Sequence, residues 1–192
     1  MKIAVDIDDT LNIIDRVTRA GEYIKENGLP FTLVNSDTNY LAQIYSWEQE
    51  DVLNFLHAGG INIYADALLR DDAVEVLTSL RLAGHEIIIL TARGTEWFGD
   101  PVAFSKAWLE KWKVPYDEIV ACVTEKGTYC KEHGINILID DYVENLRGAK
   151  ECGILPILAV DKYNEQYLEE FPYAGRTWKE IGEVLKRAEE EI

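Results

Sequence analysis

The chain is short of cysteine, of positive charge and of long apolar runs, and each shortage excludes a class of protein. Its three cysteines have no CxxC spacing, so we expect reduced thiols rather than a disulfide framework or a cysteine metal site. The 19 Lys and Arg residues stand against 35 Asp and Glu residues, and the net charge of −16 disfavours DNA, RNA and anionic membranes as partners. No apolar run approaches the roughly 18 residues that span a bilayer.

A small-molecule partner remains compatible with these shortages. A bound divalent cation can supply positive charge locally, so the negative net charge does not exclude a small phosphorylated molecule. The first residues lack the basic and apolar regions of a secretory signal, and we therefore expect a cytoplasmic protein. The sequence leaves the oligomeric state open.

The apolar residues form five short continuous runs, as strands covered on both faces do. The runs are residues 2–7, 85–90, 118–123, 135–139 and 154–160. Segments with helical spacing precede the later four, at residues 72–83, 101–112, 126–133 and 142–152. This alternation predicts an α/β fold with a Rossmann-like parallel sheet and helices on both faces.

One long interval interrupts the alternation between the first and second strands. It contains segments with helical spacing at residues 15–27, 39–58 and 61–69. Loops of this length without structure are rare in compact domains, so we predict a small helical domain inserted after the first strand. We place the insertion at residues 13–70 and the core domain at residues 1–12 and 71–192. The last segment, residues 178–192, reads as an amphipathic helix.

Polar side chains cluster at the C-terminal ends of the predicted strands. In a parallel sheet these ends share one edge, where ligands bind. Each residue alone is more commonly a helix cap or turn residue, but a set of crowded carboxylates is costly without a cation. Oxygen ligands in this number suit Mg²⁺. The residues are Asp6, Asp8, Asp9, Thr91, Ala92, Arg93, Lys126, Asp140 and Asp141.

These residue types in this arrangement are suited to phosphoryl transfer. An aspartate beside Mg²⁺ can attack a phosphoryl group, and Asp8, two residues after Asp6, can transfer protons to the leaving oxygen and from water. Thr91 and the backbone N–H groups that follow it can hold phosphoryl oxygens, while Lys126 can balance charge.

The stretches VDIDDT, LTAR and LIDDY, with Lys126 between the last two, resemble the four motifs of the haloacid dehalogenase (HAD) superfamily of aspartate-nucleophile phosphatases. The resemblance implies that Asp6 is the nucleophile of an aspartyl-phosphate mechanism and Asp8 the general acid and base. Thr91 would bind phosphate, and Lys126 would be the lysine of the third motif, with Lys131 as the alternative.

The same resemblance implies a magnesium site. Asp6, the backbone carbonyl of Asp8 and the pair Asp140 and Asp141 would bind Mg²⁺, with Asp141 as the direct ligand and Asp140 supporting it. Asp9 stands where many members of the superfamily have glycine. The two alternatives for its role are a structural one and the binding of water near the metal.

The substrate is the least defined part of the resemblance. The insertion resembles the caps that close over the site in members acting on small molecules. The stretches LTARG, WLEKWKVPYDEIV and KGTYCKEHGINILIDD resemble the 5′-nucleotidase group, which includes the 5′(3′)-deoxyribonucleotidases. A mononucleotide is therefore the expected substrate. A sugar phosphate or another small phosphorylated metabolite remains an alternative, as does a non-catalytic or receiver-like signalling domain that accepts phosphate.

A few further residues are candidates for substrate binding. Tyr45 and Trp47 of the insertion could stack on a base. Arg93 and Thr95, just after Thr91, could contact phosphate or sugar, and Ala92 is a further candidate for substrate binding. A salt bridge with another side chain is the alternative for Arg93.

Overall fold

A computed structural model of the protein describes residues 1–189. The last positions of the helix predicted at residues 178–192 therefore lie outside the described residues. The chain divides into two compact units. One consists of Met1–Ile13 and Leu69–Ile192, and the other is Ile14–Leu68.

The strands and helices of residues 1–189 follow the predicted alternation. The strands are, in chain order, β1 (Lys2–Val5), β2 (Asn12–Ile13), β3 (Leu68–Leu69), β4 (Glu86–Leu90), β5 (Glu118–Val120), β6 (Ile137–Asp140), β7 (Leu155–Ala159) and β8 (Ala174–Gly175). The α-helices are α1 (Arg16–Glu26), α2 (Leu41–Tyr45), α3 (Gln49–Phe55), α4 (Asn62–Asp66), α5 (Ala73–Leu82), α6 (Thr95–Phe98), α7 (Pro101–Trp112), α8 (Lys126–Glu132), α9 (Val143–Glu151) and α10 (Trp178–Glu189). None of these helices has the length and apolar composition that crossing a bilayer requires.

Six strands form one parallel sheet, which confirms the predicted α/β fold. Their order is β5-β4-β1-β6-β7-β8, and every neighbouring pair is parallel. β2 and β3 form a separate two-stranded sheet. The sequence did not predict β8, because two residues are too few to show a periodic pattern. Since β4 and β6 lie on opposite sides of β1, the winding direction reverses at β1, where sheets of this type bind ligands.

Helices cover both faces of the sheet, and alternate residues of each strand face opposite sides. Ile3 and Val5 of β1 lie in an apolar cluster with residues of α5, α7 and α10. Ala4 lies in a second cluster, with residues of α8 and α9. Burial on both faces explains why these strands are continuous apolar runs in the sequence.

The segment Ile14–Leu68 has four short α-helices and an apolar cluster of its own. Asp15 caps α1, because its side chain accepts a hydrogen bond from the Thr18 N–H at 3.0 Å. A π-helical turn, Leu56–Gly60, follows α3 and leads into α4. The helix predicted at residues 61–69 is shorter than expected, since the chain is already extended in β3.

The single helix predicted over residues 39–58 is wrong. Ser46 adopts a left-handed backbone conformation with φ +53° and ends α2. α3 then begins after Glu48, which forms a capping box with Asp51. The apolar residues of α2 and α3 have the spacing of a single longer helix, and this is why the sequence predicted one.

A close approach of two helices positions the first turn of α8. A Cβ atom added to Gly127 would lie 2.4 Å from the backbone carbonyl carbon of Gly148 in α9. A Cβ atom added to Gly148 would have no neighbouring atom within 4 Å, because it would point away from α8. Only Gly127 is therefore needed for this contact.

We expect Gly127→Ala to lower the free energy of unfolding by about 1–3 kcal/mol, the usual cost of overpacking. Gly148→Ala is the matched control, and it should leave stability unchanged or raise it by up to about 1 kcal/mol through helix propensity. Urea unfolding of both variants measures the difference. Equal stability of the two variants would contradict the close approach.

Candidate active site

Three buried aspartates meet where the carboxyl ends of β1 and β6 lie side by side. One carboxylate oxygen from each of Asp6, Asp140 and Asp141 lies within 4.8 Å of the others. The parallel pairing of Val5 with Ile139 brings them together, and the Asp6 N–H extends it by donating to the Ile139 carbonyl at 3.0 Å. The predicted convergence of strand ends is therefore present in the structure for these three residues.

Lys126 is the cation of this cluster. Its Nζ donates to Asp6 Oδ1 at 2.5 Å and to Asp140 Oδ2 at 2.7 Å, and its side chain is 1% exposed. It is the first residue of α8. Lys131, the alternative considered from the sequence, is exposed in the last turn of the same helix. The structure thus brings Lys126 to the carboxylates and leaves Lys131 on the surface.

Asp8 is held by Arg93 in a bidentate ion pair. Arg93 Nε donates to Asp8 Oδ2 at 2.9 Å, and a terminal guanidinium nitrogen donates to Oδ1 at 2.6 Å. Asn12 adds a third bond, from Nδ2 to Asp8 Oδ1 at 3.0 Å. The orientation of Asp8 is therefore fixed by two side chains. The salt bridge expected as one alternative for Arg93 is present in the structure, and contact of Arg93 with substrate stays a prediction.

Asp9 has a backbone role. It adopts the left-handed conformation, with φ +60°, which glycine adopts most easily and aspartate tolerates better than most residues. Its N–H donates to Asn12 Oδ1 at 2.8 Å, which closes the turn after β1. This conformation accounts for Asp9 at a position where the resemblance expects glycine.

Three donors surround the carboxylate of Asp140. Lys126 Nζ and Asn145 Nδ2 both donate to Oδ2, at 2.7 and 3.0 Å, and the Tyr142 N–H donates to Oδ1 at 2.8 Å. A carboxylate has about four acceptor sites. Little capacity therefore remains on Asp140 for direct binding of a metal ion.

The carboxylate of Asp141 accepts hydrogen bonds from two neutral hydroxyl groups. Thr10 Oγ1 donates to Oδ1 at 2.9 Å, and the Tyr163 hydroxyl donates to Oδ2. Asp140 forms an ion pair with Lys126, whereas no lysine or arginine of the described residues forms one with Asp141. Asp141 is therefore better suited than Asp140 to be a direct metal ligand.

Burial and mutual repulsion raise the pKa values of two of these carboxyl groups. The pKa of Asp6 rises to about 7, mainly because the group is removed from water; Asp140 adds to the rise and Lys126 opposes it. Burial also raises the pKa of Asp141 well above its ordinary value, with Asp140 adding to the rise. Burial disfavours the charged form of Lys126, but Asp140 and Asp6 outweigh this and raise its pKa. The cluster thus holds more potential negative charge than one lysine balances.

This donor set fits a magnesium ion. Carboxylate oxygens are the ligands that Mg²⁺ prefers, and it is usually bound by one or two carboxylates with water or phosphate completing its coordination. A divalent cation would also relieve the repulsion that raises the pKa values of Asp6 and Asp141. Of the three clustered carboxylates, Asp6 and Asp141 are the ones that would bind it; a role for the Asp8 carbonyl stays a prediction.

The residues after β4 continue the same sheet edge on the other side of β1. Thr91 is buried, Ala92 is exposed, and Arg93 is buried against Asp8. The Thr91 oxygen accepts the Arg93 N–H at 3.3 Å, which leaves the hydroxyl proton to donate elsewhere. A role for Thr91 in phosphate binding remains a prediction.

Tyr45 and Trp47 lie inside the insertion and do not form an open platform. Tyr45 is 7% exposed and Trp47 4% exposed. The Trp47 ring lies 5.7 Å from Tyr45, 5.5 Å from Phe55 and 6.2 Å from Tyr23, measured between ring centroids. The Tyr45 hydroxyl donates to the backbone carbonyl of Val17. Packing within the insertion encloses both rings, so the predicted stacking on a base has no open ring face.

Sequence reasoning missed several residues that hold the carboxylates. Asn12 contacts Asp8, Asn145 contacts Asp140, and Tyr163 contacts Asp141. Thr10 stands inside the first motif and could have been considered on that ground. Tyr163 follows β7 in an irregular segment, where no periodicity or motif draws attention to it.

Comparison with known proteins supports the fold. No family model matches the sequence, and no curated protein matches it. Solved structures do match over nearly the whole chain. A predicted phosphatase from Clostridium acetobutylicum has a TM-score of 0.65 and 17% identity, covering 97% of this chain and 98% of that one.

Two further structures give the same result. A HAD hydrolase of family IA, variant 3, from Entamoeba histolytica has a TM-score of 0.62 and 20% identity, covering 96% of this chain and 99% of that one. A predicted phosphoglycolate phosphatase from Haemophilus somnus has a TM-score of 0.67 and 14% identity, covering 97% and 96%. At these identities the likeness concerns the fold, and the fold of this chain is HAD-like.

Proposed function

We propose that the protein is an Mg²⁺-dependent phosphomonoesterase that acts through an aspartyl phosphate on Asp6. The observation that carries this proposal is the position of Asp6 at the reversal point of the sheet, clustered with Asp140 and Asp141 and bonded to Lys126. The HAD-like fold and its likeness to proteins described as phosphatases support the proposal.

Asp6 has one oxygen prepared for attack. Lys126 donates to Oδ1, and no donor among residues 1–189 reaches Oδ2. In the first step Oδ2 attacks phosphorus, a new O–P bond forms, and the bond to the leaving oxygen breaks. Lys126 stays beside the carboxylate and offsets negative charge on the phosphoryl group. Mg²⁺, when bound, supplies further positive charge for the phosphoryl oxygens.

Asp8 is the group that transfers protons in this scheme. In its protonated form Asp8 gives its proton to the leaving oxygen in the first step. In the second step water attacks the phosphorus of the aspartyl phosphate, Asp8 accepts a proton from that water, and Asp6 and inorganic phosphate are released. Arg93 and Asn12 fix the carboxylate in one orientation.

We propose a deoxynucleoside or nucleoside monophosphate as the substrate, with a sugar phosphate or another small phosphorylated metabolite as the alternative. The sequence stretches that resemble the 5′-nucleotidase group support the first. The fold likeness to a protein described as a predicted phosphoglycolate phosphatase supports the second. The net charge of −16 agrees with either small substrate and disfavours a polynucleotide.

Replacement of the nucleophile tests the mechanism. We expect Asp6→Asn to lower kcat for p-nitrophenyl phosphate at least about 10³-fold, because an amide does not attack phosphorus. Asp71→Asn, at an exposed position, is the matched control and should keep wild-type activity. Chelation should abolish wild-type activity and Mg²⁺ should restore it. An active, metal-dependent Asp6→Asn variant would rule out the mechanism.

Lys126 and Lys131 can be separated by parallel substitutions on the same helix. Lys126→Met leaves buried Asp6 and Asp140 without their cation, so we expect loss of activity and a fall in the free energy of unfolding of about 3–5 kcal/mol. Lys131→Met should leave activity unchanged and should change the free energy of unfolding by no more than about 0.5 kcal/mol. Activity assays and urea unfolding measure both effects. Loss of activity only in Lys131→Met would reverse the assignment.

A panel of phosphomonoesters tests the substrate proposal. We expect kcat/KM for deoxynucleoside monophosphates to exceed that for hexose phosphates by at least about tenfold, the usual discrimination of a fitted pocket. Phosphate release with and without Mg²⁺ is the measurement, and Asp6→Asn protein from the same preparation gives the background. Equal or faster release from hexose phosphates or from small organic acid phosphates would favour the alternative.

A further inference from the structure

Asp141 is held in place by three residues, of which Tyr163 and Asn164 lie outside the four motifs. Thr10 Oγ1 donates to Oδ1 at 2.9 Å, and the Tyr163 hydroxyl donates to Oδ2. Asn164 Nδ2 donates to the Asp141 backbone carbonyl at 2.9 Å. Both side-chain oxygens and the backbone carbonyl of this residue are thus fixed by the protein.

The segment that carries Tyr163 is itself well fixed. Asn164 is 1% exposed, and its Nδ2 also donates to the Ala159 carbonyl at 2.9 Å. Its Oδ1 accepts the Asp161 N–H at 2.8 Å, which closes the loop after β7. Asp161 in turn forms an ion pair with Arg70 at 2.6 Å. The Tyr163 hydroxyl therefore reaches Asp141 from a loop with little freedom to move.

The chemistry of the two hydroxyl groups suits a metal ligand. A hydroxyl donates one hydrogen bond without neutralising the charge of the carboxylate, whereas a lysine would compete with a metal ion. A carboxylate has about four acceptor sites, so two hydroxyl bonds leave sites for a cation on Asp141. A carboxylate that is already oriented also loses less conformational freedom when it binds a metal ion.

We propose that Tyr163 is a positioning residue that orients Asp141 and so sets the affinity of the site for Mg²⁺. Thr10 does the same from the opposite oxygen. This inference rests on the metal site of the proposed function and adds to it a residue from outside the four motifs. Tyr163 acts through Asp141 and has no part in bond making or breaking.

The test is the Mg²⁺ dependence of Tyr163→Phe, which removes the hydroxyl and keeps the ring. We expect the Mg²⁺ concentration for half-maximal activity to rise about 10- to 100-fold, the usual effect of losing such a partner, while kcat at saturating Mg²⁺ stays within about threefold of wild type. The second readout needs no turnover. The Mg²⁺ concentration that gives half of the rise in Tm should shift by the same factor.

Two further variants make the test specific. Tyr167→Phe removes a hydroxyl from the same segment and keeps the ring under Arg147, so its Mg²⁺ dependence should equal that of wild type. Thr10→Val removes the other hydroxyl bond of Asp141 and should shift both readouts in the same direction as Tyr163→Phe. Its shift provides an independent test if Tyr163→Phe folds poorly.

The outcomes separate this inference from the proposed function. A wild-type protein whose activity and Tm respond to Mg²⁺, together with unchanged Mg²⁺ dependence in Tyr163→Phe and Thr10→Val, would overturn the inference alone. A wild-type protein with no response to Mg²⁺ in either readout would overturn the proposed metal site and the inference with it.

Discussion

The crowding of Asp6, Asp140 and Asp141 at one edge of the sheet is the constraint on which the rest of the site depends. β1 and β6 are parallel neighbours, so the carboxylates at their C-terminal ends lie close together. Buried like charges at such distances raise one another's pKa and cost free energy unless cations are near. Lys126 meets only part of this need, because it is shared between two of the carboxylates. Buried clusters of charge are often no more stable than apolar packing of similar volume, so the charge at this edge supports a binding role.

Both cations of the site are kept out of water by their surroundings. Lys126 begins α8, and the absence of a side chain at Gly127 lets this helix lie against α9 while the lysine points to the carboxylates. The guanidinium of Arg93 lies 5.1 Å from the Phe98 ring centroid and 5.5 Å from that of Phe104. Charges shielded from water interact more strongly, and side chains packed in this way do not have to reorganise when substrate binds. Rigid placement of the cations thus follows from the packing around them.

The parts of the structure that were predictable from sequence are those that leave a local pattern. Burial on both faces makes each central strand a continuous apolar run, and the carboxylates stand where these runs end. The break between α2 and α3 has no such pattern, because it depends on the left-handed backbone of Ser46. Sequence does not show whether an aromatic ring faces a core or a ligand. The rings of Tyr45 and Trp47 are buried in the apolar cluster of the insertion. Tyr163 was missed because it lies 22 residues after Asp141 in the chain, and the loop that carries it shows no periodic pattern.

The consecutive residues Asp140 and Asp141 show how one strand end can serve two electrostatic tasks. Asp140 contacts the ammonium group of Lys126, and its charge is used to keep that lysine protonated beside Asp6. A carboxylate paired in this way attracts a second cation weakly. Among residues 1–189, the side chain of Asp141 has hydrogen bonds only with neutral hydroxyl donors, so no lysine or arginine of that part of the chain offsets its charge. One aspartate could not do both, because the lysine that it stabilised would compete with the metal ion. Two adjacent carboxylates in different surroundings would allow a buried lysine and the proposed divalent cation to be held at the same edge of the sheet.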